Sequence, residues 1–477
     1  MDGSEDRLAE AEWSLSNRTV GEIDPSGLYT ASAATGGVSY VTARYAGLET
    51  NALLTVIFQD ESVAEGVDTT LFDAPKLPHD GLWTYPQDGV NLPRNTPSIS
   101  FQWADVGATA VRLRFRSEVT DLTVYTTGTS WTADEASWAA LVGTNAGGSV
   151  EVELALAVGS EVWSEEVITL NVNRFDARGT IYYWSTSAYG IMQIPYGEDA
   201  SEFITLTTSG YCTGCHSARA GKIAFTYDGG NGGLGVKRTS DQSDIVAYGA
   251  GLYGNFNTFS PDGNYLIVAY MGALLLVDAN TGAYIGEVAT GGYATHPDWS
   301  PDGEAIVFTM TNADGGDWYF SGGRICIMEK TTDGGWTTPS CLVDPAEPYN
   351  AYYPAFSPDG EWIAFDVSTG DSYDDVDAMV YVVPRNGGDP IELAAANLAS
   401  GYTNSLPKWG PLPDDDVMWI AFSSKRAYGN VTNGTPQLWV AGFDPTRAYL
   451  GQDPSWAAFW LPGQNSAQNN HIPAWSE

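Results

Sequence analysis

Positive charge is scarce in this chain. Its 477 residues include 21 Lys and Arg against 59 Asp and Glu, which gives a formal net charge of −38 at pH 7. Nucleic-acid binding requires basic side chains that neutralise phosphates, and anionic membranes attract basic segments. We therefore expect no nucleic-acid partner and no attachment to an anionic lipid surface.

Long apolar runs and catalytic signatures are also missing. No stretch of eighteen apolar residues exists, so we expect no transmembrane segment. There is no G-x-S-x-G motif, phosphate-binding glycine loop or H-E-x-x-H helix. The sequence therefore gives no sign of a hydrolase or a nucleotide-binding enzyme, and it leaves open whether the protein is an enzyme at all.

Helical periodicity is nearly absent, and Thr132–Leu141 is the best candidate helix. The chain instead has 53 Gly and 12 % aromatic residues. Glycine supplies turns, and aromatic side chains suit pleated surfaces. The composition predicts an all-β protein, and the length predicts about three domains.

A short repeat in the C-terminal part indicates the fold. Three copies read aromatic-Ser-Pro-Asp-Gly, and an apolar strand follows each: Phe259–Gly263, Trp299–Gly303 and Phe356–Gly360. Proline presets the turn, aspartate caps it and glycine takes a positive φ. We therefore interpret these aspartates as structural and expect each preceding aromatic residue to pack between neighbouring sheets.

Two degenerate copies begin at His216 and Lys408, and a sixth is split between the chain ends. The end of the chain, His471–Glu477, starts a repeat without a strand, whereas Arg178–Thr186 is a strand without a start. Joined, they make one blade of a closed ring, which hides sheet edges. The repeat resembles the TolB-like β-propeller family. That resemblance implies a six-bladed propeller over residues 176–477, an extracytoplasmic location and action as an interaction platform.

Two β-sandwich domains are expected before the propeller. Residues 1–60 resemble part of a bacterial Ig-like domain of group 2, through short strands such as Trp13–Asn17 and Val38–Tyr45. Residues 78–175 resemble a fibronectin-III-like sandwich, and residues 61–77 are expected to link the two. Because the first domain has almost no room for the two strands that normally precede Trp13 in that family, we expect a truncated N-terminus, with an export signal upstream of the acidic start.

One motif suggests chemistry: Cys212-Thr213-Gly214-Cys215-His216 matches the C-x-x-C-H pattern of c-type haem attachment. In that pattern the two thiols, Cys212 and Cys215, form thioethers, and His216 is the proximal iron ligand. If haem is present, we expect His471 as the distal ligand, because its blade is adjacent, with His296 next and Met192 third. His79 is a further histidine, but it belongs to the linker or the second domain.

Other interpretations of the same residues stay open. Cys212 and Cys215 could form a structural or redox disulfide, or half of a zinc site, although no second cysteine pair exists at zinc spacing. His216 could also simply occupy the slot that His296 and His471 fill in other blades.

The remaining cysteines, Cys326 and Cys341, flank a predicted hairpin that turns at Asp333-Gly334-Gly335. Strands paired across such a turn bring both thiols together, so we expect a disulfide and an oxidising compartment. Acidic glycine-rich loops at 228–233, 312–317 and 371–377 make calcium a further candidate ligand, although none matches the twelve-residue calcium loop.

Two functions follow from these patterns. The first is an extracytoplasmic propeller, in the periplasm, at the cell surface or secreted, that carries one haem c for electron transfer or redox sensing and therefore has a redox partner. The alternative is a non-catalytic scaffold that binds a protein or a cell-envelope glycan, with Cys212 and Cys215 as a structural disulfide.

Overall fold

A computed structural model describes residues 11–230, 232–312, 317–412 and 417–477. The chain divides into two compact units, residues 1–176 and residues 177–477. The described residues are almost entirely strands and turns, as the composition predicts. No helix among them is long and apolar enough to cross a membrane.

The first unit contains sixteen strands and one α-helix among its described residues. They are β1 (Glu12–Leu15), β2 (Gly21–Ile23), β3 (Tyr29–Ala31), β4 (Gly37–Tyr45), β5 (Leu48–Val56), β6 (Phe58–Val63), a 3₁₀ turn (Thr69–Asp73), β7 (Lys76–Pro78), β8 (Trp83–Tyr85), β9 (Val90–Leu92), β10 (Ser100–Trp103), β11 (Ala110–Ser117), β12 (Thr120–Thr126), β13 (Ser130–Thr132), α1 (Glu135–Thr144), β14 (Gly148–Val158), β15 (Glu161–Ser164) and β16 (Ile168–Val172).

The sheet built around β11, β12 and β14 follows the period-two pattern of its sequence. On β11 the side chains of Val111, Leu113 and Phe115 are buried, while the alternating arginines point away from that core. Arg112 is paired with Glu153 on β14 at 2.7 Å. Alternation thus separates an apolar core face from a face stabilised by ion pairs.

Two details of this unit differ from the sequence-based expectation. The helix is Glu135–Thr144 rather than Thr132–Leu141, because the Asp134 carboxylate accepts a hydrogen bond from the Ser137 backbone N–H and so caps the helix there. The expected linker, 61–77, is not free chain: β6 pairs in parallel with β12, and β7 with β15. Their backbone groups find partners at the edges of the large sheet.

The described residues of the second unit form the remaining strands and three short helices. They are β17 (Thr180–Ser185), β18 (Gly190–Pro195), β19 (Ser201–Ile204), α2 (Leu206–Ser209), β20 (Thr213–Arg219), β21 (Lys222–Tyr227), a 3₁₀ turn (Asp228–Gly230), β22 (Leu234–Arg238), β23 (Asp244–Val246), β24 (Asn257–Phe259), β25 (Tyr265–Tyr270), β26 (Ala273–Asp278), β27 (Tyr284–Val288), β28 (Tyr293–Trp299), β29 (Ala305–Thr311), β30 (Arg324–Glu329), β31 (Ser340–Val343), β32 (Asn350–Phe356), β33 (Trp362–Ser368), β34 (Met379–Pro384), β35 (Ile391–Glu392), α3 (Ala394–Asn397), β36 (Ser405–Trp409), β37 (Met418–Ser424), β38 (Gln437–Phe443), α4 (Pro445–Tyr449), β39 (Phe459–Trp460) and β40 (Asn470–Ser476).

These strands form six four-stranded antiparallel sheets. Five sheets use consecutive strands, starting at β20, β24, β28, β32 and β36, and the sixth joins β40 to β17, β18 and β19. Each innermost strand contacts the innermost strand of the next sheet, and β40 contacts both β36 and β20. The sheets therefore close into a ring around a central channel, which is the architecture of a β-propeller.

The junction of the chain ends is confirmed, because β17 pairs with β40 over Thr180–Ser185 and Asn470–Ser476. The packing role of the repeat aromatics is confirmed as well. Phe259 lies in an apolar cluster that combines side chains of two adjacent sheets, and Trp299 and Phe356 occupy the same position farther along the ring. Burial of these rings between sheets stabilises the closed ring.

The Ser-Pro-Asp-Gly turns are structural, as expected. The Ser260 hydroxyl donates to Asp262 Oδ1 at 2.6 Å, and the same oxygen accepts from the Asn264 N–H at 3.0 Å. The pattern recurs at Asp302 and Asp359. The turn glycine has a positive φ each time, for example +70° at Gly263. These carboxylates cap hairpins, which explains their presence without any catalytic role.

The predicted disulfide between Cys326 and Cys341 is confirmed. The two residues lie directly opposite each other on β30 and β31, with Cα atoms 3.8 Å apart. The bond closes the hairpin that connects the outer strands of one sheet.

Candidate functional site

The two faces of the ring differ in chain geometry, and the names used below follow that difference. The entry face is where the innermost strands β20, β24, β28, β32, β36 and β40 begin. The hairpin face is where they end, at the turns that lead into the second strand of each sheet.

The C-x-x-C-H motif lies where β20 leaves the entry face. Thr213 and Gly214 pair with Tyr227 and Thr226 on β21, and then the register shifts before Ser217. Cys215 and His216 form this bulge, and Cys215 has a φ of +32°. A bulge inserts an extra residue and redirects its side chains. The motif is thus part of a strand, not of a helix.

The two thiols have different surroundings. Cys212 is partly exposed on the entry face, whereas Cys215 is buried. Burial raises the pKa of the Cys215 thiol to about 12, and burial together with the charge of Asp228 raises the pKa of Cys212. Neither cysteine is therefore activated as a thiolate nucleophile at neutral pH.

A bond between Cys212 and Cys215, expected in the scaffold interpretation, is not present: both are free thiols. The extended Thr213 and Gly214 separate them, and three residues of strand span about 10 Å. A disulfide needs Cα atoms within about 7 Å. Strand geometry therefore keeps the pair open.

The His216 side chain is only 7 % exposed and faces the central channel. Neither ring nitrogen has a hydrogen-bond partner at normal distance and angle within the described part of the chain. Burial lowers the pKa of His216 to about 4; a backbone interaction with Tyr182 opposes this shift, and the charge of Lys408 adds to it. The imidazole is therefore neutral at physiological pH, and at least one of its nitrogens is available to a ligand.

Two cavities occupy the channel on either side of His216. One of about 40 Å³ is the neck, and every innermost strand contributes one to three residues to it. Its lining residues are His216, Phe256, Asn257, His296, Pro297, Tyr353, Pro354, Leu406, Pro407, Lys408, Ile472 and Pro473. The second cavity, of about 100 Å³, lies toward the hairpin face. His216 and Lys408 line both cavities.

The neck is built from strained backbone. Cys215, His296, Tyr353, Leu406 and Ile472 all have a positive φ, between +32° and +61°. A bulky residue in this region costs about 1–3 kcal/mol. The bulge recurs in five of the six innermost strands, all except β24, and turns their side chains into the channel at the same level, so that rigid walls result.

His216 does not fit the role of a proximal haem ligand in this conformation. Cofactor sites have volumes of roughly 300–1,000 Å³, whereas the cavities beside His216 hold about 40 and 100 Å³. Neither cysteine lines them, so the thiols and the imidazole do not share one space. The donor types of a c-type haem site are present, but their arrangement is not.

The expected distal ligands are not assembled either. Burial lowers the pKa of His471 to about 3, and the charges of Lys425 and His216 add to this effect. His471 therefore lies near His216, but it lines neither cavity. His296 accepts the Tyr353 backbone N–H at Nδ1, at 3.3 Å, so that in the neutral ring Nε2 carries the proton and cannot donate a lone pair to iron. Met192 lies on β18 and lines neither cavity. His79 stacks on Trp163 in the first unit.

No group of three or more His, Cys, Asp or Glu suited to a metal ion occurs in the described ranges. The acidic loop at 371–377 uses its carboxylates for local turns: Asp375 accepts from the Asp377 N–H, and Asp371 from the Tyr373 N–H. Most of the loop at 312–317, and Asn231 of the loop at 228–233, lie outside the described residues.

Sequence reasoning missed the charged residues of the larger cavity, which are Arg219, Asp298 and Lys408. A signal for two of them was present. Four innermost strands share the pattern Pro-x-aromatic, as in Pro354-Ala355-Phe356 and Pro473-Ala474-Trp475. Asp298 and Lys408 occupy the x position, where the other two strands have alanine, and x points into the channel.

The ring of sheets defines this protein as a β-propeller protein. No family model matches the chain, and no curated protein does. Among solved structures, the chain is similar to TolB from Acinetobacter baumannii, with 16 % identity over 69 % of this chain and 79 % of that one, at a TM-score of 0.43. It is also similar to a putative TolB from Agrobacterium tumefaciens, with 15 % identity over 63 % and 99 % of the two chains and a TM-score of 0.38.

Proposed function

We propose that this protein is an extracytoplasmic scaffold whose six sheets form a TolB-like, six-bladed propeller that binds a protein partner through its entry face. The observation that carries the proposal is the unequal distribution of exposed tyrosines on the ring, with eight on the entry face against three, Tyr265, Tyr284 and Tyr449, on the hairpin face. The capped hairpins serve the fold, whereas this surface has no such role.

Eight exposed tyrosines lie in loops or strand ends of the entry face: Tyr189, Tyr211, Tyr248, Tyr253, Tyr270, Tyr293, Tyr319 and Tyr349. Met271 and Val376 are exposed on the same face. Tyrosine is enriched at protein interfaces because its ring gives a large contact area and its hydroxyl forms hydrogen bonds. Such a concentration on one face supports a docking role.

The charge of this face supports a basic partner. Exposed carboxylates on its loops include Asp228, Asp344, Glu347 and Asp377. Lys425 is held against Asp374 at 2.6 Å. Complementary charge steers association and selects the partner, and salt weakens this effect. We therefore expect the association rate with the partner to fall as the ionic strength rises.

The proposed location rests on the disulfide. The Cys326–Cys341 bond forms and persists in oxidising compartments, and the cytosol keeps most thiols reduced.

The test immobilises the full chain and two of its double variants and asks which protein each of them captures from an extracytoplasmic extract. Tyr253→Ser combined with Tyr319→Ser alters the entry face. Tyr449→Ser combined with Leu450→Ser is the matched control on the hairpin face, since Tyr319 and Tyr449 are both 67 % exposed. We expect one basic protein to be retained by the parent and the control and lost by the entry-face variant.

Equal retention by all three proteins would contradict the proposal. Retention of glycan rather than protein, again lost only in the entry-face variant, would keep the surface but replace the partner class with a cell-envelope glycan.

A second candidate function is electron transfer or redox sensing by a haem c bound to Cys212 and Cys215. The observation that favours it is the pair of free thiols at haem-attachment spacing, directly before a buried and neutral histidine. Expression in a cytochrome-maturing host tests it. A haem band that survives denaturing electrophoresis, and that Cys212→Ser abolishes, establishes this candidate. A full yield of protein without such a band removes it.

A further inference from the structure

The larger channel cavity has an unusual charge for this chain. In a protein of net charge −38, two cationic side chains, Arg219 and Lys408, and one carboxylate, Asp298, line a space of about 100 Å³. The cavity is therefore locally cationic inside a strongly acidic molecule.

Arg219 lacks a carboxylate partner in the residues that the structure describes. It donates to the backbone oxygens of Phe259 and Trp299, each at 3.2 Å. Burial lowers its pKa, and Asp298 offsets this only in part. A half-buried guanidinium whose nearest carboxylate is shared with a second cation is incompletely compensated, and an anion in the cavity would compensate it.

Lys408 is only loosely neutralised. Its Nζ lies 3.9 Å from Asp298 Oδ1, at the outer limit of an ion pair. Asp298 has other partners, since it accepts from the Thr258 hydroxyl at 3.2 Å and from the Phe356 N–H at 2.8 Å. One shared carboxylate therefore faces two cations.

His216 supplies a third donor. It is more than nine-tenths buried and it lines the same cavity. Neither ring nitrogen has a hydrogen-bond partner at normal distance and angle in the described chain, and the Tyr182 backbone interacts with at most one of the two, so the other faces no competitor. A neutral imidazole always carries one N–H, which can donate to an oxygen of the ligand.

We propose that this cavity is a binding site for a carboxylate group, held by Arg219, Lys408 and His216. The excess of one positive charge matches a monoanion, and the planar guanidinium suits the two oxygens of a carboxylate. The volume holds several water-sized groups, enough for a small free carboxylate or for the carboxylate end of a chain that enters from the hairpin face. This site is independent of the entry face.

Acetate is the probe, and calorimetry and thermal shift are the measurements. We expect saturable acetate binding to the full chain. Arg219→Gln and Lys408→Gln should each weaken it about tenfold or more, since hydrogen bonds to charged groups are the strong ones. Arg238→Gln and Lys237→Gln, which remove equivalent charges outside the channel, should leave acetate binding unchanged.

Two further probes identify the source of the carboxylate. Acetyl-Gly-Gly with a free carboxylate should bind, and its C-terminal amide should not. Tighter binding of the acid peptide than of acetate assigns a chain end as the ligand, and equal or weaker binding assigns a small free carboxylate.

Three results would overturn the site: no saturable acetate binding by the folded parent, equal binding by the channel and control variants, or tighter binding of inorganic sulfate than of acetate. If Arg219→Gln fails to fold, Lys408→Gln decides alone, because that side chain is 36 % exposed and its loss leaves the core intact.

Discussion

At the scale of single residues, the channel histidines are the most informative feature. His216, His296 and His471 are all buried, and burial lowers the pKa of each. A histidine buried in its neutral form couples folding to pH, because the unfolded chain takes up a proton that the folded chain refuses.

The first prediction concerns this coupling at His216. Its pKa is about 6.5 in an unfolded chain and about 4 in the folded protein. The contribution of the neutral His216 to the free energy of unfolding is complete above pH 6.5 and is lost as the pH falls toward 4. His216→Gln should make the decline of the free energy of unfolding shallower in this range, by up to about 1.4 kcal/mol per pH unit.

Chemical denaturation of the full chain at several pH values between 4 and 7, followed through the unfolding of the propeller unit, measures that slope. His79→Gln is the control, because His79 is exposed and belongs to the other unit. An unchanged slope in His216→Gln would show that this imidazole is not buried in its neutral form.

At the scale of elements, the hairpin of β30 and β31 carries the one disulfide among the described cysteines. Replacing both cysteines with alanine should lower the free energy of unfolding by about 3 kcal/mol, the value that the loop-entropy model gives for a fifteen-residue loop. The physical reason is the greater conformational freedom of the unfolded chain.

The midpoint of denaturant unfolding measures this effect. Cys212→Ala, which removes a partly exposed free thiol, should leave the midpoint nearly unchanged. A parent protein whose midpoint is the same with and without reductant would contradict the prediction.

At the scale of the whole molecule, closure of the ring by both chain ends governs stability. Deleting residues 471–477 removes most of β40 and leaves the edge of β17 unpaired. An unpaired strand is a template for aggregation. We expect a lower melting temperature and self-association, measured by thermal unfolding and light scattering.

Deletion of Glu477 alone is the matched control, since β40 ends at Ser476. A seven-residue deletion with the same melting temperature and light scattering as this control would show that β40 is dispensable for the ring.

The sequence by itself determined the propeller, because its information is local and repeated. Proline, aspartate and glycine in Phe259–Gly263 and its copies define hairpins, and the unmatched pieces at 178–186 and 471–477 indicated closure. Cysteines opposite each other across a hairpin likewise follow from spacing, which is why Cys326–Cys341 could be predicted.

Only the tertiary structure decided what meets inside the ring. The C-x-x-C-H spacing predicted a haem site, but β pairing stretches Cys212 away from Cys215, and the bulge turns His216 into the channel. Arg219, Asp298 and Lys408 lie far apart in the chain and converge because their strands are neighbours around one axis. Such convergence depends on ring closure and on the position of the bulge in five of the six innermost strands, and neither is encoded in a local pattern.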